Sequence, residues 1–200
     1  MQYPKPIEDL IHTLSYLPGI GQKSAQRMTF TILDWQPDKI DELADALVAA
    51  KEKIHPCARC NSLTDEEYCT VCQSDRDETK LVVVEDTMKM LAFENMGNYR
   101  GKYYCLGGLV SPLRRIGPEK LAIEGLLKIL DEGVVEEVIL ALSPTSDGEI
   151  TTYFLKDMMR NYKVRVTKLA QGIAPGSSLE YYDAYTLSRA FLERRDVEDE

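Results

Sequence analysis

The sequence predicts an α+β multidomain fold, and three observations lead to this prediction. Helical periodicity around a tight, glycine-containing turn fills residues 1–55. Two CxxC motifs stand within residues 56–79, in a segment too short and polar to bury a core of its own. From residue 80 onward, apolar strand-like runs alternate with helical stretches, which is the order of a mostly parallel α/β sheet. We assign that sheet to residues 80–165 and its completion to a C-terminal segment, 166–200.

The N-terminal domain is predicted to be a pair of helices joined by a tight turn. Apolar residues recur at helical spacing between Pro6 and Leu17. A second helix follows the turn, and we expect its inward face to consist of Ala25, Met28 and Ile32. A third helix, predicted from Asp38 to Ile54, has an apolar face that we expect to pack on the first two, made of Ile40, Leu43, Ala44, Leu47 and Val48.

The turn itself, Leu17-Pro18-Gly19-Ile20-Gly21, has the features of a phosphate-binding site. Gly19 and Gly21 let the backbone fold closely and leave amide groups at the start of the second helix free to meet a phosphate. Lys23 and Arg27 are four residues apart on one helical face and would reinforce the contact. The string resembles the helix-hairpin-helix motif, which grips the DNA backbone without reading sequence. The alternative is a plain αα-hairpin, whereas a P-loop is not supported because it requires an adjacent Gly-Lys pair.

The four cysteines of the two CxxC motifs predict a structural zinc site. Two such turns facing each other supply the closed tetrahedron of thiolates that Zn²⁺ prefers, so we take Cys57, Cys60, Cys69 and Cys72 as ligands. A redox motif would use one CxxC pair, whereas an iron–sulfur cluster or plain buried cysteines would also account for all four. Cys105 stands alone in a strand-like run and is predicted to be a small buried hydrophobe.

Composition and charge describe an ordinary soluble chain. Its 200 residues are 44% hydrophobic, no stretch is long enough to span a bilayer, and the N-terminus lacks the apolar core of a signal peptide. We therefore expect a reducing cytoplasm, where cysteines bind metal rather than form disulfides. The net charge of −9 opposes nucleic-acid binding on average. However, Lys23 and Arg27 are the only formal charges from Leu10 to Leu33, and six basic residues face two acids from Arg100 to Lys128.

The last half of the chain predicts the parallel sheet. We place strands near residues 80–85, 102–106, 136–142 and 163–169, and helices near 87–96, 118–131, 149–161 and 180–194. Ligands of such sheets gather at the carboxyl ends of the strands. Glu85 follows the first strand, and Asp147 and Glu149 lie in the loop after the third, so these three acids are predicted to converge.

A strand-end glutamate followed by a later acidic loop resembles the Toprim domain of topoisomerases, primases and some nucleases. In catalytic members, the glutamate and a DxD pair hold Mg²⁺ during phosphodiester transfer. Glu85 matches the first position, but Ser143 and Thr145 stand where the paired aspartates are expected. The resemblance therefore implies a degenerate Toprim domain. A Mg²⁺-dependent enzyme that uses Glu85, Asp147 and Glu149 is the alternative.

The order of hairpin, four-cysteine knuckle and Toprim-like sheet resembles the RecR family of recombination mediators. Besides the hairpin and the CxxC pairs, the likeness includes Leu106-Gly107-Gly108, Ser111-Pro112 and the string Gly172–Tyr181. The chain departs from many relatives at Arg114-Arg115, where an acidic residue followed by glycine is expected. This departure favours DNA contact from that loop.

The resemblance implies a non-catalytic protein that binds one structural Zn²⁺ per chain and assembles as a ring-shaped tetramer that clamps DNA. Its implied partners are RecO and RecF, with which it would load RecA at single-strand gaps coated by single-strand-binding protein, in association with the bacterial nucleoid. Lys23 and Arg27 would face DNA, the segment from Val164 onward would be an assembly arm, and Glu85 and Asp147 would contact RecO. Glu149, beside Asp147, is included with these acids. A zinc-stabilised interaction hub with no DNA role is a further alternative.

Overall fold

The computed structural model describes residues 3–194, so residues 195–200 of the predicted C-terminal segment lie outside the described part. The chain divides into two compact units, Met1–Ile54 and His55–Glu200. None of the helices in the described part combines the length and apolarity that a bilayer crossing requires.

The first unit contains three helices, α1 (Lys5–Leu14), α2 (Gln22–Leu33) and α3 (Pro37–Lys53). Pro6 and Pro37 lie in the first turns of α1 and α3, where a missing N–H costs no hydrogen bond. Helices α1 and α2 pack against each other, and their buried side chains are Ile11, Ala25 and Thr29.

Two expectations about this unit were wrong. Met28 is 38% exposed, and Thr29 instead turns inward beside Ala25, because the spacing of four residues follows the helix more closely than the spacing of three. Helix α3 has no buried residue, and its apolar face of Ile40, Leu43, Leu47 and Val48 is exposed. Periodicity predicts that a helix has an apolar face, but it does not say what covers that face.

The second unit begins with the cysteine knuckle. Strands β1 (His55–Pro56) and β2 (Leu63–Thr64) form a short antiparallel ribbon, and the single turn of helix α4 (Thr70–Gln73) follows the third cysteine. Elements this short have little propensity of their own, so the knuckle must be held by its cysteines and by its contacts with the sheet.

The sheet confirms the predicted α/β architecture. Its strands are β3 (Asp77–Val84), β4 (Gly101–Cys105), β5 (Glu137–Leu140) and β6 (Arg165–Lys168), all parallel in the order β4-β3-β5-β6. The helices between them are α5 (Thr87–Met96), α6 (Ile123–Asp131) and α7 (Ser146–Met158). The sheet begins at Asp77, inside the range that the sequence assigned to the knuckle. Its last strand lies within the predicted strand range of 163–169 and crosses the bound at residue 165 between the two predicted segments.

Successive side chains along each strand point to opposite faces of the sheet, so the core is divided between these two faces. Leu81, Val83 and Tyr104 pack with side chains of α6 and α7 on one face. Val82, Val84 and Tyr103 pack on the other face with three of the knuckle cysteines and with Cys105. Cys105 is buried as expected, and its burial raises the pKa of the thiol to about 12. The knuckle therefore shares a core with the sheet.

Helices α6 and α8 begin later than predicted, whereas α7 begins earlier, at Ser146. Pro118–Lys120 is a separate 3₁₀ turn, and α6 starts at Ile123. Helix α8 (Ala184–Leu192) starts after Asp183, whose carboxylate accepts hydrogen bonds from the amides of Tyr185 and Thr186. These amides lie in the first turn of α8, so Asp183 fixes its start as an N-cap.

Candidate metal centre and nucleic-acid interface

The four predicted zinc ligands form one compact group. The sulfur atoms of Cys57, Cys60, Cys69 and Cys72 all lie within 4.8 Å of one another, and this is the one set of three or more metal-ligating side chains so grouped in residues 3–194. The Cys60–Cys69 and Cys57–Cys72 sulfur pairs are 3.5 and 3.8 Å apart. A tetrahedral zinc with bonds of about 2.3 Å requires sulfur pairs about 3.8 Å apart. The two measured sulfur pairs are close to this spacing, and the chemistry and compactness of the donor set fit Zn²⁺.

Hydrogen bonds to the cysteine sulfurs stabilise negative charge on them. The amide of Cys69 donates to the Cys57 sulfur at 3.2 Å, and the buried hydroxyl of Ser62 lies 3.1 Å from the Cys60 sulfur. Hydrogen bonds from the Cys72 thiol and from Ser62 lower the pKa of Cys60, and donating that hydrogen bond raises the pKa of Cys72. Thiolates are the form that binds zinc.

The hairpin of the first unit is open at its tip. Gly19 has a φ of +81°, which a residue with a side chain rarely adopts, so glycine is required there. Gly21 precedes the first residue of α2 and provides no side chain to cap the amides of the first turn. No acidic residue lies in that turn, and a side chain at either glycine would meet open space. The amides therefore face a surface that an anion can approach.

Lys23 and Arg27 lie on the exposed side of α2, opposite the buried Ala25 and Thr29. Neither forms an ion pair with another described residue. Both charged groups are thus exposed and unpaired in the described part of the chain, and their contact with DNA phosphates stays a prediction.

The loop that carries Arg114 and Arg115 is a closed turn in the second unit. Ser111 and Ile116 exchange backbone hydrogen bonds at 2.8 and 2.9 Å, which places the two arginines at the tip of the loop. Arg114 donates to Asp147 at 3.0 Å, whereas Arg115 has a φ of +55° and no ion-pair partner among the residues the structure describes. The two neighbouring arginines are therefore electrostatically different.

The three predicted acids do not form a shared metal site. Glu85 accepts a hydrogen bond from the amide of Ser143 at 2.6 Å, and Asp147 is paired with Arg114. Glu149 accepts from Arg189 of α8 at 2.5 Å. Each acid thus has a partner of its own, although all three lie near the carboxyl ends of β3 and β5.

A close backbone approach shapes the loop that carries these acids. Thr145 precedes α7 and accepts a hydrogen bond from the amide of Gly148. A side chain at Gly148 would collide with the carbonyl of Ser143, so only glycine permits this turn. The turn places Asp147 and Glu149 in the first turn of α7, where the N-terminal helix dipole favours acidic side chains.

Sequence reasoning missed two residues that contact the predicted sites. Ser62 is completely buried beside Cys60, but a serine in a polar loop carries no pattern that distinguishes it. Arg189 reaches back to Glu149 from 40 residues further along the chain and also contacts Gln171. No local motif indicates a pair so distant in sequence.

Comparison with known proteins adds independent matches along the chain. The family described as RecR, helix-hairpin-helix matches residues 7–51, and the four-cysteine zinc finger domain of RecR matches residues 54–74. A Toprim domain matches residues 79–170, and the RecR C-terminal family matches residues 172–195.

Three full-length relatives carry the name Recombination protein RecR. The protein of Finegoldia magna is 45% identical over 198 residues, which is 98% of each chain. That of Natranaerobius thermophilus is 42% identical over 98% of each chain. That of Lactobacillus delbrueckii is 41% identical over 98% of this chain and all of the relative.

Fold, cysteine group and comparisons together define a protein that combines a helix-hairpin-helix module, a four-cysteine zinc finger and a Toprim domain. The chain belongs to the RecR family. This confirms the resemblance that the sequence suggested.

Proposed function

We propose that the chain is a recombination mediator in DNA repair that binds DNA without catalysing a reaction on it. The observation that carries the proposal is the hairpin of the first unit, where Lys23 and Arg27 are exposed and unpaired among the described residues beside uncapped amides. The names of the relatives support a role in recombination. Contact through amides and two cations suits the phosphate backbone, and therefore binding without sequence preference.

The proposal includes assembly as a ring-shaped homotetramer. A net charge of −9 opposes DNA binding by a single chain with two basic hairpin residues. A ring presents each hairpin several times to one DNA molecule, and linked contacts raise affinity steeply. The C-terminal segment after residue 166 would form one interface of this ring. The exposed apolar side of α3 supports another in the first unit.

The partners we propose are RecO and RecF, with RecA loaded at single-strand gaps. Glu85, Asp147 and Glu149 are the acids proposed to contact RecO. Their individual partners argue against Mg²⁺ catalysis, because a carboxylate held by arginine or by a backbone amide is less available as a shared metal ligand. The Mg²⁺-dependent enzyme therefore remains the second hypothesis, without a specific observation in its favour.

One structural Zn²⁺ per chain is proposed at the four-cysteine group. Bound zinc would fix the knuckle, which has short elements and little core of its own. Cys57, Cys60, Cys69 and Cys72 would hold it, and Ser62 would orient the Cys60 sulfur. Because thiolates in this arrangement require a reducing compartment, we propose that the protein acts in the cytoplasm.

The decisive test is a binding titration with labelled gapped duplex DNA, with and without Mg²⁺, followed by a denaturing gel of the same samples. Lys23→Glu and Arg27→Glu should weaken binding by at least about tenfold, since each change removes a phosphate contact and adds a repelling charge. Lys53→Glu makes the same change of charge at an exposed position of α3 away from its apolar face and is the matched control.

Each outcome separates the hypotheses. A salt-sensitive complex with intact DNA, weakened by the α2 variants and not by Lys53→Glu, supports the mediator. An equal loss of DNA affinity in all three variants would show that binding depends on total charge, which would contradict the hairpin interface. Cleaved DNA that requires Mg²⁺ would favour the enzyme. Absence of any complex at physiological salt would favour the interaction hub.

A further inference from the structure

The cysteine knuckle is attached to the free edge of the sheet. Strand β4 is an edge strand, so only one of its sides pairs with β3. Leu106, just after β4, donates its amide to the carbonyl of Val84, the last residue of β3. The preceding amide, that of Cys105, points the other way and donates to the carbonyl of Cys60 at 2.8 Å. The side-chain amide of Asn61 returns a hydrogen bond to the Cys105 carbonyl at 2.7 Å. These bonds fix the first CxxC turn to the end of β4.

The second CxxC turn is held by a single side chain from the same strand. The Lys102 ammonium lies 2.8 Å from the Ser74 carbonyl, 3.2 Å from the Cys72 carbonyl and 3.5 Å from the Val71 carbonyl. The Glu78 carboxylate lies 3.9 Å away. An ammonium group has three donors, and here they meet the carbonyl of one ligand cysteine and carbonyls just before and after it.

This environment is unusual for a lysine on an edge strand. Its side chain is only 11% exposed, whereas the Lys80 side chain on β3 is 53% exposed and pairs loosely with Asp77. A buried ammonium is costly unless its hydrogen bonds are made, so Lys102 and the carbonyls constrain one another. Moving the turn that contains Cys72 would leave this ammonium without its carbonyl partners and with only the more distant Glu78 carboxylate.

The positive charge of Lys102 is also opposite in sign to the charge of a zinc-bound four-cysteine site. Four thiolates around Zn²⁺ carry a net charge of −2, and a cation beside Cys72 offsets part of it. Arg59, a residue of the first CxxC turn, pairs with Glu132 in a more exposed place, with side-chain exposures of 35% and 43%. Lys102 is therefore the more buried cation of the two.

We propose that Lys102 is a positioning residue of the four-cysteine site, holding the second CxxC turn against β4 and so slowing the loss of Zn²⁺. This inference rests on the proposed zinc binding. Strand β4, which carries Lys102, would then contribute directly to metal retention. Partners that orient metal ligands typically contribute about 10- to 100-fold to metal affinity.

The test uses the full-length chain purified with its metal. Zinc content is measured first, and the rate of zinc transfer to the chelator 4-(2-pyridylazo)resorcinol is then followed by absorbance. Lys102→Met keeps the length of the side chain and removes its donors and charge, and we expect it to release zinc about tenfold faster. Lys102→Arg keeps donors and charge and should restore much of the slow release. Lys102→Gln replaces the methionine variant if that variant does not fold.

A core variant distinguishes positioning from general stability. Val138 is fully buried on β5, and Val138→Ala lowers the stability of the sheet without changing a knuckle residue. With Co²⁺ in place of Zn²⁺, the thiolate-to-metal absorption band should shift in Lys102→Met and stay unchanged in Val138→Ala. Zinc release as fast from Val138→Ala as from Lys102→Met, or release from Lys102→Met at the normal rate, would overturn the role of Lys102. Wild-type protein without one zinc per chain would instead contradict the proposed zinc site.

Discussion

The guanidinium of Arg114 donates a hydrogen bond to the carboxylate of Asp147 across 3.0 Å, joining the tip of the Ser111–Ile116 loop to the first turn of α7. Arg114 also donates to the hydroxyl of Ser111 in its own loop. The pair unites a residue expected to bind DNA with one expected to bind a protein partner. DNA that binds Arg114 must therefore compete with Asp147, and a protein that binds Asp147 must compete with Arg114.

We predict that Arg115→Ala weakens DNA binding several-fold, while Arg114→Ala has a smaller effect. Arg115 has no ion-pair partner among the described residues, whereas DNA must displace Asp147 before Arg114 can reach a phosphate. Fluorescence anisotropy across a range of salt concentrations measures both affinity and the number of phosphates that the protein neutralises. The slope of log affinity against log salt concentration should be shallower in Arg115→Ala than in the wild type, by about 0.9 for each duplex phosphate that the variant no longer neutralises.

Asp147→Asn provides the complementary measurement in the same assay. It removes a negative charge and frees Arg114, so it should raise DNA affinity and should do so only while Arg114 is present. An equal gain in the Asp147→Asn, Arg114→Ala double variant would show that the ion pair is irrelevant to DNA binding.

The sequence predicts the sheet well because its signals are local. A continuous apolar run such as Lys80–Glu85 identifies a buried strand, and the βαβ order then implies parallel pairing. The CxxC spacing likewise identifies the cysteine group, since each turn brings two sulfurs together by itself. Local spacing therefore suffices for elements whose partners lie nearby in sequence.

Pairs that are distant in sequence could not be predicted in this way. Asp147 meets Arg114 across 33 residues and Glu149 meets Arg189 across 40, so the folded geometry alone decides these contacts. The three acids were expected to converge because they follow neighbouring strands. In the structure each is turned toward its own donor, and a donor's position depends on loops that periodicity does not describe.

Loss of one knuckle cysteine should unfold the knuckle and weaken the sheet. Cys57 shares a core with Val82, Val84 and Tyr103, so a change at the metal site reaches the strands directly. We predict that Cys57→Ser loses bound zinc and at least about 4 kcal/mol of unfolding free energy, measured by metal analysis and urea unfolding. Cys105→Ala is the control, because Cys105 lies outside the ligand group and should retain full zinc. Zinc loss from both variants alike would argue against a four-cysteine site.

The ion pair of Arg76 with Glu94 should make stability depend on pH in the acid range. Two hydrogen bonds of 2.7 Å join the groups, and Arg76 lowers the pKa of Glu94 below its ordinary value of 4.5. A lowered pKa means that the stabilisation is fully present above pH 4.5 and is lost as the pH falls through the folded value. Glu94→Gln should cost about 1–2 kcal/mol at neutral pH and progressively less in more acidic buffer.

Urea unfolding at neutral pH and near pH 3.5 measures this difference. Asp157→Asn is the control, since Asp157 pairs with Arg160 at the surface, with side-chain exposures of 72% and 80%. Such pairs contribute about 0–1 kcal/mol. If the loss of unfolding free energy in Glu94→Gln stays constant as the pH falls, packing and not the charge of Glu94 stabilises this contact.

Glu149 should hold helix α8 in place. None of the residues of α8 is buried, and Arg189 on this helix donates to Glu149 at 2.5 Å and to Gln171 at 2.7 Å. Glu149→Gln keeps the shape of the side chain and removes the charge that Arg189 meets. We expect amide hydrogen exchange in α8 to become roughly tenfold faster, the effect of losing a charge-assisted hydrogen bond of about 1.5 kcal/mol. Asp157→Asn on the same helix as Glu149 is again the matched control and should leave α8 unchanged. If α8 exchanges at the wild-type rate in Glu149→Gln, the helix is held by contacts other than this ion pair.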